Sequence, residues 1–215
     1  MIPFLTPADV ASAIPKVRTH LAADGLLAYP TETVYGLGCA PTDAALDRLA
    51  ALKGRPARKP FLLLVSGIEM LNQCGLVLTP SAKAMAQEFW PGPLTLVLSG
   101  GEGRLPDRLR GGGGGIAVRW TSHTDIARLI AACGRPLTST SANLPGGPTA
   151  PGPGAIASLF PEAMARKELM VLDGGVLGNV PPSTLVDCTT SVPALVRAGA
   201  IPLAELRRRV GRLAP

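Results

Sequence analysis

Apolar positions recur along this chain with two different periods. In TPADVASAIPKVRTHLAADG, residues 6–25, Val10, Ile14, Val17 and Leu21 fall at helical spacing. Thr6 is placed to cap that helix, Pro7 occupies its first position and Gly25 stops it. Pro15 falls in the middle, where a proline works against helix formation. The apolar run from Leu26 to Tyr29 predicts a strand, and TDAALDRLAALKG predicts a second helix capped by Thr42 and stopped at Gly54. The runs PFLLLVS, LTLVLSG, IAVRW, PLTST, MVLDGG, STLVDC and ALVRAG read as short strands, while HTDIARLIAACG and PLAELRRRVG carry the helical period. This alternation predicts an α/β sheet protein with both parallel and antiparallel pairs.

Composition adds limits to that picture. With 215 residues, 47% of them hydrophobic and 17% charged, the chain is expected to form one compact domain over residues 1–215. The GGGGG run at 111–115 and the Pro/Gly-rich stretch at 145–154 then read as loops inside that domain rather than linkers. Met1 to Leu5 carries no basic lead, and no stretch approaches the roughly 20 apolar residues of a membrane span. The expectation is a cytoplasmic protein without a membrane partner. Cys39, Cys74, Cys133 and Cys188 are widely spread and form no C-x-x-C pair, so buried free thiols are expected rather than a zinc site. A net charge of +6 favours anionic partners.

The cations and hydroxyls gather in a few places. KGRPARKP, residues 53–60, sets Lys53, Arg55, Arg58 and Lys59 at a helix exit. In an extended backbone Lys53 and Arg55 would share a side and suit a polyphosphate; the alternative is a solvated charged turn. LTSTSAN offers Ser139, Thr140, Ser141 and Asn143 as small donors for phosphate oxygens or a nucleoside, or else a Ser/Thr turn. Arg119 and Arg197 each end an apolar strand, where a guanidinium must meet either a structural carboxylate or an anionic ligand. Ser183 and Thr184 precede a further strand. The stretch AYPTETVYGLG, residues 28–38, places hydroxyls and a carboxyl at a strand exit, where α/β proteins bind ligands. His20 reads as a surface residue and His123 as a helix cap. No Walker phosphate loop, nucleophile elbow, zinc-protease helix or dinucleotide fingerprint occurs. Chemistry resting on cations and hydroxyls points to positioning and charge neutralisation around a phosphate ester.

Read in order, YPTETVYGLG, KGRP…KPFLLLV, FWPGPLTLVL, IAVRW…H, STSANLPGGPT, PSTLVD and LVRAG resemble the YrdC-type threonylcarbamoyl-AMP synthases from about Leu26 to Ala200. The resemblance implies a twisted mixed sheet with flanking helices and a large concave basic cavity. It also implies synthesis of L-threonylcarbamoyladenylate and pyrophosphate from L-threonine, bicarbonate and ATP, for threonylcarbamoyladenosine modification of tRNA. By the same resemblance Lys53 and Arg55 are the catalytic cations; Arg55, Lys59, Ser141, Asn143, Thr149 and Arg197 bind ATP; and Thr33, Tyr35, Arg119, Ser139 and Ser183 surround threonine. ATP enters as substrate, magnesium is expected on its phosphates, and neither a protein metal site nor a permanently bound cofactor is implied. Downstream partners are the tRNA threonylcarbamoyl-transfer machinery, with weak RNA binding as a further expectation. Some relatives carry histidine at the position of Leu64, which is aliphatic here.

Two other functions compete with that reading. One is a carbamoyl-adenylate former resembling the related domain of hydrogenase-maturation carbamoyltransferases, although no acylphosphatase or zinc-finger segment is visible. The other is an RNA-binding module, against which stands the lack of aromatic residues interleaved with the cations.

Overall fold

The computed structural model describes residues 1–54, 59–178, 180–210 and 214, with Val210 described by its backbone alone. Arg55 and Arg58 lie outside the described residues. In chain order the elements are β1 (Ile2–Pro3), α1 (Pro7–Ala22), β2 (Leu26–Tyr29), β3 (Gly36–Gly38), α2 (Asp43–Lys53), β4 (Leu62–Val65), α3 (Ile68–Gln73) and β5 (Leu76–Val77). They continue as α4 (Pro80–Phe89), β6 (Leu94–Gly100), β7 (Ile116–Trp120), α5 (Thr124–Cys133), β8 (Leu137–Ser141), α6 (Pro153–Leu159) and α7 (Pro161–Ala165). The chain ends with β9 (Leu169–Asp173), β10 (Thr184–Asp187), β11 (Ala194–Arg197) and α8 (Leu203–Val210).

Among the described residues the strands form one mixed sheet in the order β1-β9-β2-β3-β8-β4-β7-β6-β10-β11, with β5 attached to β6. Pairs β1/β9, β2/β9, β4/β7 and β6/β10 are parallel and the others antiparallel. The expected mixed α/β architecture is therefore present. β4 and β8 lie side by side although more than 70 residues separate them in the sequence. Such non-local pairing brings distant segments of the chain together at the sheet centre.

The helices follow their local signals. Thr6 accepts from the Asp9 amide at 3.1 Å and donates its own amide to the Asp9 carboxylate at 3.0 Å, a capping box. α1 runs through Pro15 because its other face buries Val10, Ala13, Val17 and Leu21. Each large apolar side chain so buried contributes about 1.5–3 kcal/mol, which together offset a proline cost of about 3 kcal/mol. α2 starts on the Thr42 cap and ends at Gly54, whose φ of +52° lies in the left-handed region. His20 is not a bare surface residue: its ring covers Gly25 and Nε2 lies 2.8 Å from the Leu26 carbonyl oxygen.

β3 falls at the end of the stretch 28–38 that the sequence marks as a strand exit, and glycine at 36 and 38 carries no strand signal. Close packing explains those glycines: a Cβ on Gly38 would lie 1.8 Å from the Thr138 carbonyl oxygen. Short α3, α6 and α7 carry too few turns for a period to be read.

Three of the cysteines are buried as expected, while Cys133 is only half-buried at the end of α5. Burial raises all four thiols above their ordinary value, Cys39 and Cys188 to about 12. In the native protein near neutral pH, a thiol-specific chromogenic disulfide reagent is expected to titrate Cys133 first. The other three should react only on unfolding, and early release of more than one equivalent from folded protein would contradict this packing.

Candidate active site

Strand periodicity assembles the site. Residues paired across neighbouring strands project to the same face of a sheet. The pairs Gly36/Ser141, Ser139/Leu62, Leu64/Arg119, Val97/Ala117, Thr95/Leu185 and Leu185/Arg197 therefore run across one face from β3 to β11. Most of these side chains line one cavity of about 450 Å³, joined by Thr140 of β8 and by Thr31, Thr33, Lys59, Thr149 and Ser183 from adjoining segments. A separate hollow of about 400 Å³ between α1 and α5, lined by Leu21, Leu129 and Ile130, shares none of its residues.

Arg119 is 3% exposed on the cavity floor and donates to the Thr33 hydroxyl at 3.1 Å. The Glu32 carboxylate stands 3.6 Å from the same guanidinium nitrogen. The structural carboxylate and the site-lining position, weighed as alternatives from the sequence, thus coexist. Burial lowers the Arg119 pKa, and Glu32 opposes that shift.

Ser183 is buried, with its hydroxyl 2.8 Å from Thr95 Oγ1. Arg197, exposed at the cavity mouth, donates to the Ser183 carbonyl at 2.8 Å and to its hydroxyl at 3.2 Å. Partial desolvation and then repulsion from Arg119 lower the Arg197 pKa. Two cations that disfavour each other across one cavity are better satisfied when an anion lies between them.

Lys53 meets the hydroxyl-rich segment directly. Its ammonium, on a side chain left 5% exposed, donates to the Ser141 carbonyl at 2.9 Å, to Asn143 Oδ1 at 2.6 Å and to the Asn143 carbonyl. Asn143 also accepts from the Ser141 hydroxyl at 2.8 Å and donates to the Gly147 carbonyl at 2.7 Å. The turn after β8 is therefore built around one buried ammonium. Lys53 is the last residue of α2 rather than part of an extended strand, so the same-side argument with Arg55 does not apply to it.

The structure thus brings Thr33, Lys59, Arg119, Ser139, Ser141, Thr149, Ser183 and Arg197 to one cavity, with Lys53 and Asn143 beneath its wall. Tyr35 is turned elsewhere: it is fully buried, donates its hydroxyl to the Gly175 carbonyl at 2.8 Å and accepts from the Gly174 amide at 3.0 Å. Arg55 falls outside the described residues. Leu64 is buried beside Arg119 and packs in the core rather than lining the cavity. His123 stands at the first position before α5, yet its side chain makes no cap hydrogen bond. Sequence reasoning did not single out Thr31 and Thr95. A lone hydroxyl in the apolar strand LTLVLSG was the available signal for Thr95.

Fold and cavity together define a class: a mixed-sheet α/β protein whose sheet face carries a pocket lined by cations and hydroxyls. The family model Sua5_yciO_yrdC, described as "Telomere recombination", matches residues 19–199. The chain belongs to this Sua5/YciO/YrdC family. A relative from Thiobacillus denitrificans named threonylcarbamoyl-AMP synthase is 38% identical over 179 residues, 83% of this chain and 92% of the relative. A relative of the same name from Pyrococcus abyssi is 36% identical over 189 residues, covering 87% of this chain but only 54% of the relative. The crystal structure of P. abyssi Sua5 complexed with L-threonine superimposes with a TM-score of 0.85 at 32% identity, covering 100% of this chain and 62% of that one. Among the described residues no helix is long and apolar enough to cross a membrane.

Proposed function

We propose that this chain is a threonylcarbamoyl-AMP synthase, a nucleotidyl-transferring enzyme that makes L-threonylcarbamoyladenylate and pyrophosphate from L-threonine, bicarbonate and ATP. The observation that carries the reading is the convergence of Arg119, Arg197, Lys59 and five hydroxyl-bearing positions of the sequence-derived set on one cavity. The names of the relatives and the L-threonine complex of the Sua5 neighbour support it.

A triphosphate, an amino-acid carboxylate and a carbamate repel one another, so a site that holds all three needs fixed cations. In this reading Arg119, with Thr33 beside it, receives the threonine carboxylate, and Ser139 and Ser183 complete that half. Arg197, Lys59, Ser141 and Thr149 take the nucleotide, joined by Arg55. Lys53 and Asn143 fix the turn that presents Ser141. The threonine amine, once deprotonated, captures carbon dioxide supplied by bicarbonate to give a carbamate. A carbamate oxygen then attacks the α-phosphorus of ATP, the bond to the β-phosphate oxygen breaks, and pyrophosphate leaves. No covalent bond to the protein forms, so catalysis rests on positioning and on stabilising charge at phosphorus.

Among the described residues no group of three or more His, Cys, Asp or Glu side chains is placed to hold a metal ion. In this reading magnesium enters with the substrate, carried by the ATP phosphates. The whole chain acts as one domain in the cytoplasm and passes its unstable product to the tRNA threonylcarbamoyl-transfer machinery; any contact of its own with RNA is weak.

The test is pyrophosphate release from ATP with and without L-threonine and bicarbonate, with serine as a control. Release that depends on both co-substrates and falls with serine is expected. Turnover indifferent to threonine, or no turnover alongside tight, salt-sensitive RNA binding, would overturn the proposal.

A further inference from the structure

Glu32 is the one charged residue of the stretch between β2 and β3, and the site as described gives it no role of its own. It sits between Thr31 and Thr33, both of which line the cavity, but it does not line the cavity itself. Its side chain is 15% exposed, and one carboxylate oxygen faces the Arg119 guanidinium at 3.6 Å. The other accepts a 2.6 Å hydrogen bond from the Thr121 hydroxyl. Arg119 and Thr121 are two residues apart, the spacing that puts side chains on one face of an extended segment. The Thr121 hydroxyl in turn accepts from the His123 amide at 3.2 Å, so the start of α5 is tied into the same group.

Among the described residues, four buried side-chain nitrogen or oxygen atoms have no hydrogen-bond partner. Three of them, Glu32 Oε1, Arg119 Nε and His123 Nδ1, belong to this cluster. A stability-driven network would satisfy such atoms, since each costs free energy when left unpaired. Their concentration behind one cavity-lining guanidinium fits an arrangement that keeps Arg119 charged and aimed while sparing hydrogen-bonding capacity for a ligand.

We propose that Glu32 is a positioning residue for the amino-acid half of the site: clamped by Thr121, it fixes the orientation and charge of Arg119 from behind, and so sets the affinity for the substrate carboxylate without touching substrate. This rests on the reading of Arg119 as the carboxylate-binding cation. Glu32 acts through Arg119 and Thr121, so its loss is expected to affect the threonine half of the cavity before the nucleotide half.

The experiment uses the full chain and steady-state pyrophosphate release, varying L-threonine at saturating ATP and then ATP at saturating L-threonine. Glu32→Gln is expected to raise the KM for threonine by about tenfold, the scale of one coupling between touching groups, and to leave the KM for ATP within about twofold. Thr121→Val, which removes the clamp without stranding a charge, should move the threonine KM in the same direction, and Thr121→Ser should restore it. An unchanged threonine KM in Thr121→Val, or equal rises for both substrates, would overturn the proposal in favour of a purely structural ion pair. Crystal structures of the unmodified protein and of Thr121→Val supply a readout independent of turnover. A guanidinium swung away from Thr33 in the variant supports the proposal, and one still donating to Thr33 overturns it, even if the unmodified chain shows no threonine-dependent activity and the functional reading itself fails.

Discussion

Arg119→Ala is expected to lower kcat/KM for threonine by roughly a hundredfold or more, the scale for truncating one member of a desolvated charged contact. The same substitution should also weaken the fold. Removing the guanidinium leaves the Glu32 carboxylate, 15% exposed, bonded to the Thr121 hydroxyl but without its opposite charge. Breaking such a pair by deleting one partner costs about 3–5 kcal/mol, which in a chain of this size lowers the melting temperature by about 10 °C. The two effects separate in the double variant Arg119→Ala/Glu32→Ala. Its melting temperature should recover part of the loss, because no unpaired charge remains, whereas its activity should not recover. Equal stabilities of the single and double variants, measured by thermal melts, would show that the two charges are not coupled.

Lys53→Met should have the second largest effect. The methionine keeps length and apolar bulk but removes the ammonium that bonds the Ser141 carbonyl and both oxygens of Asn143. Unsatisfied buried acceptors cost about 1–3 kcal/mol each, so the turn after β8 should rearrange rather than keep its shape. Turnover is expected to fall by roughly tenfold to a thousandfold, because Ser141 then no longer presents its hydroxyl at a fixed place. Lys53→Arg should not rescue it: a planar guanidinium cannot replace a point-like ammonium among three oxygens. The check is steady-state pyrophosphate release together with protease susceptibility of residues 141–150. Full activity with an unaltered cleavage pattern would mean that the ammonium does not organise this turn.

What the sequence revealed depended on how local each signal was. α1 and α2 announced themselves through caps and apolar spacing, and the core strands β4, β6 and β7 through short runs rich in Leu, Val and Ile. β3 was hidden, because its glycines answer to a neighbouring backbone and not to any strand preference of their own. The strand order was not legible either, since nothing local says that β8 inserts between β3 and β4.

The site shows the same division. Arg119 stood out as a charge at the end of an apolar strand, and its position in the cavity follows from the period of that strand. Tyr35 was grouped with threonine by resemblance, yet side-chain direction sends its hydroxyl to Gly174 and Gly175. Glu32 and Lys53 illustrate the harder case. Residue type was readable, but the partners lie 89 and 88–90 residues away, so what each one organises emerges only from tertiary packing.

One wall of the cavity hangs from the margin of the sheet. Arg197 belongs to β11, the last strand of the sheet order, which pairs with β10 on one side and, among the described residues, meets only the single bridge between Ala194 and Ala214 on the other. Terminal strands open at a small fraction of the free energy needed to unfold a core. Traffic of a bulky nucleotide through the mouth can therefore draw on local fraying of this border, while the central strands that carry Arg119 and Ser139 stay shut.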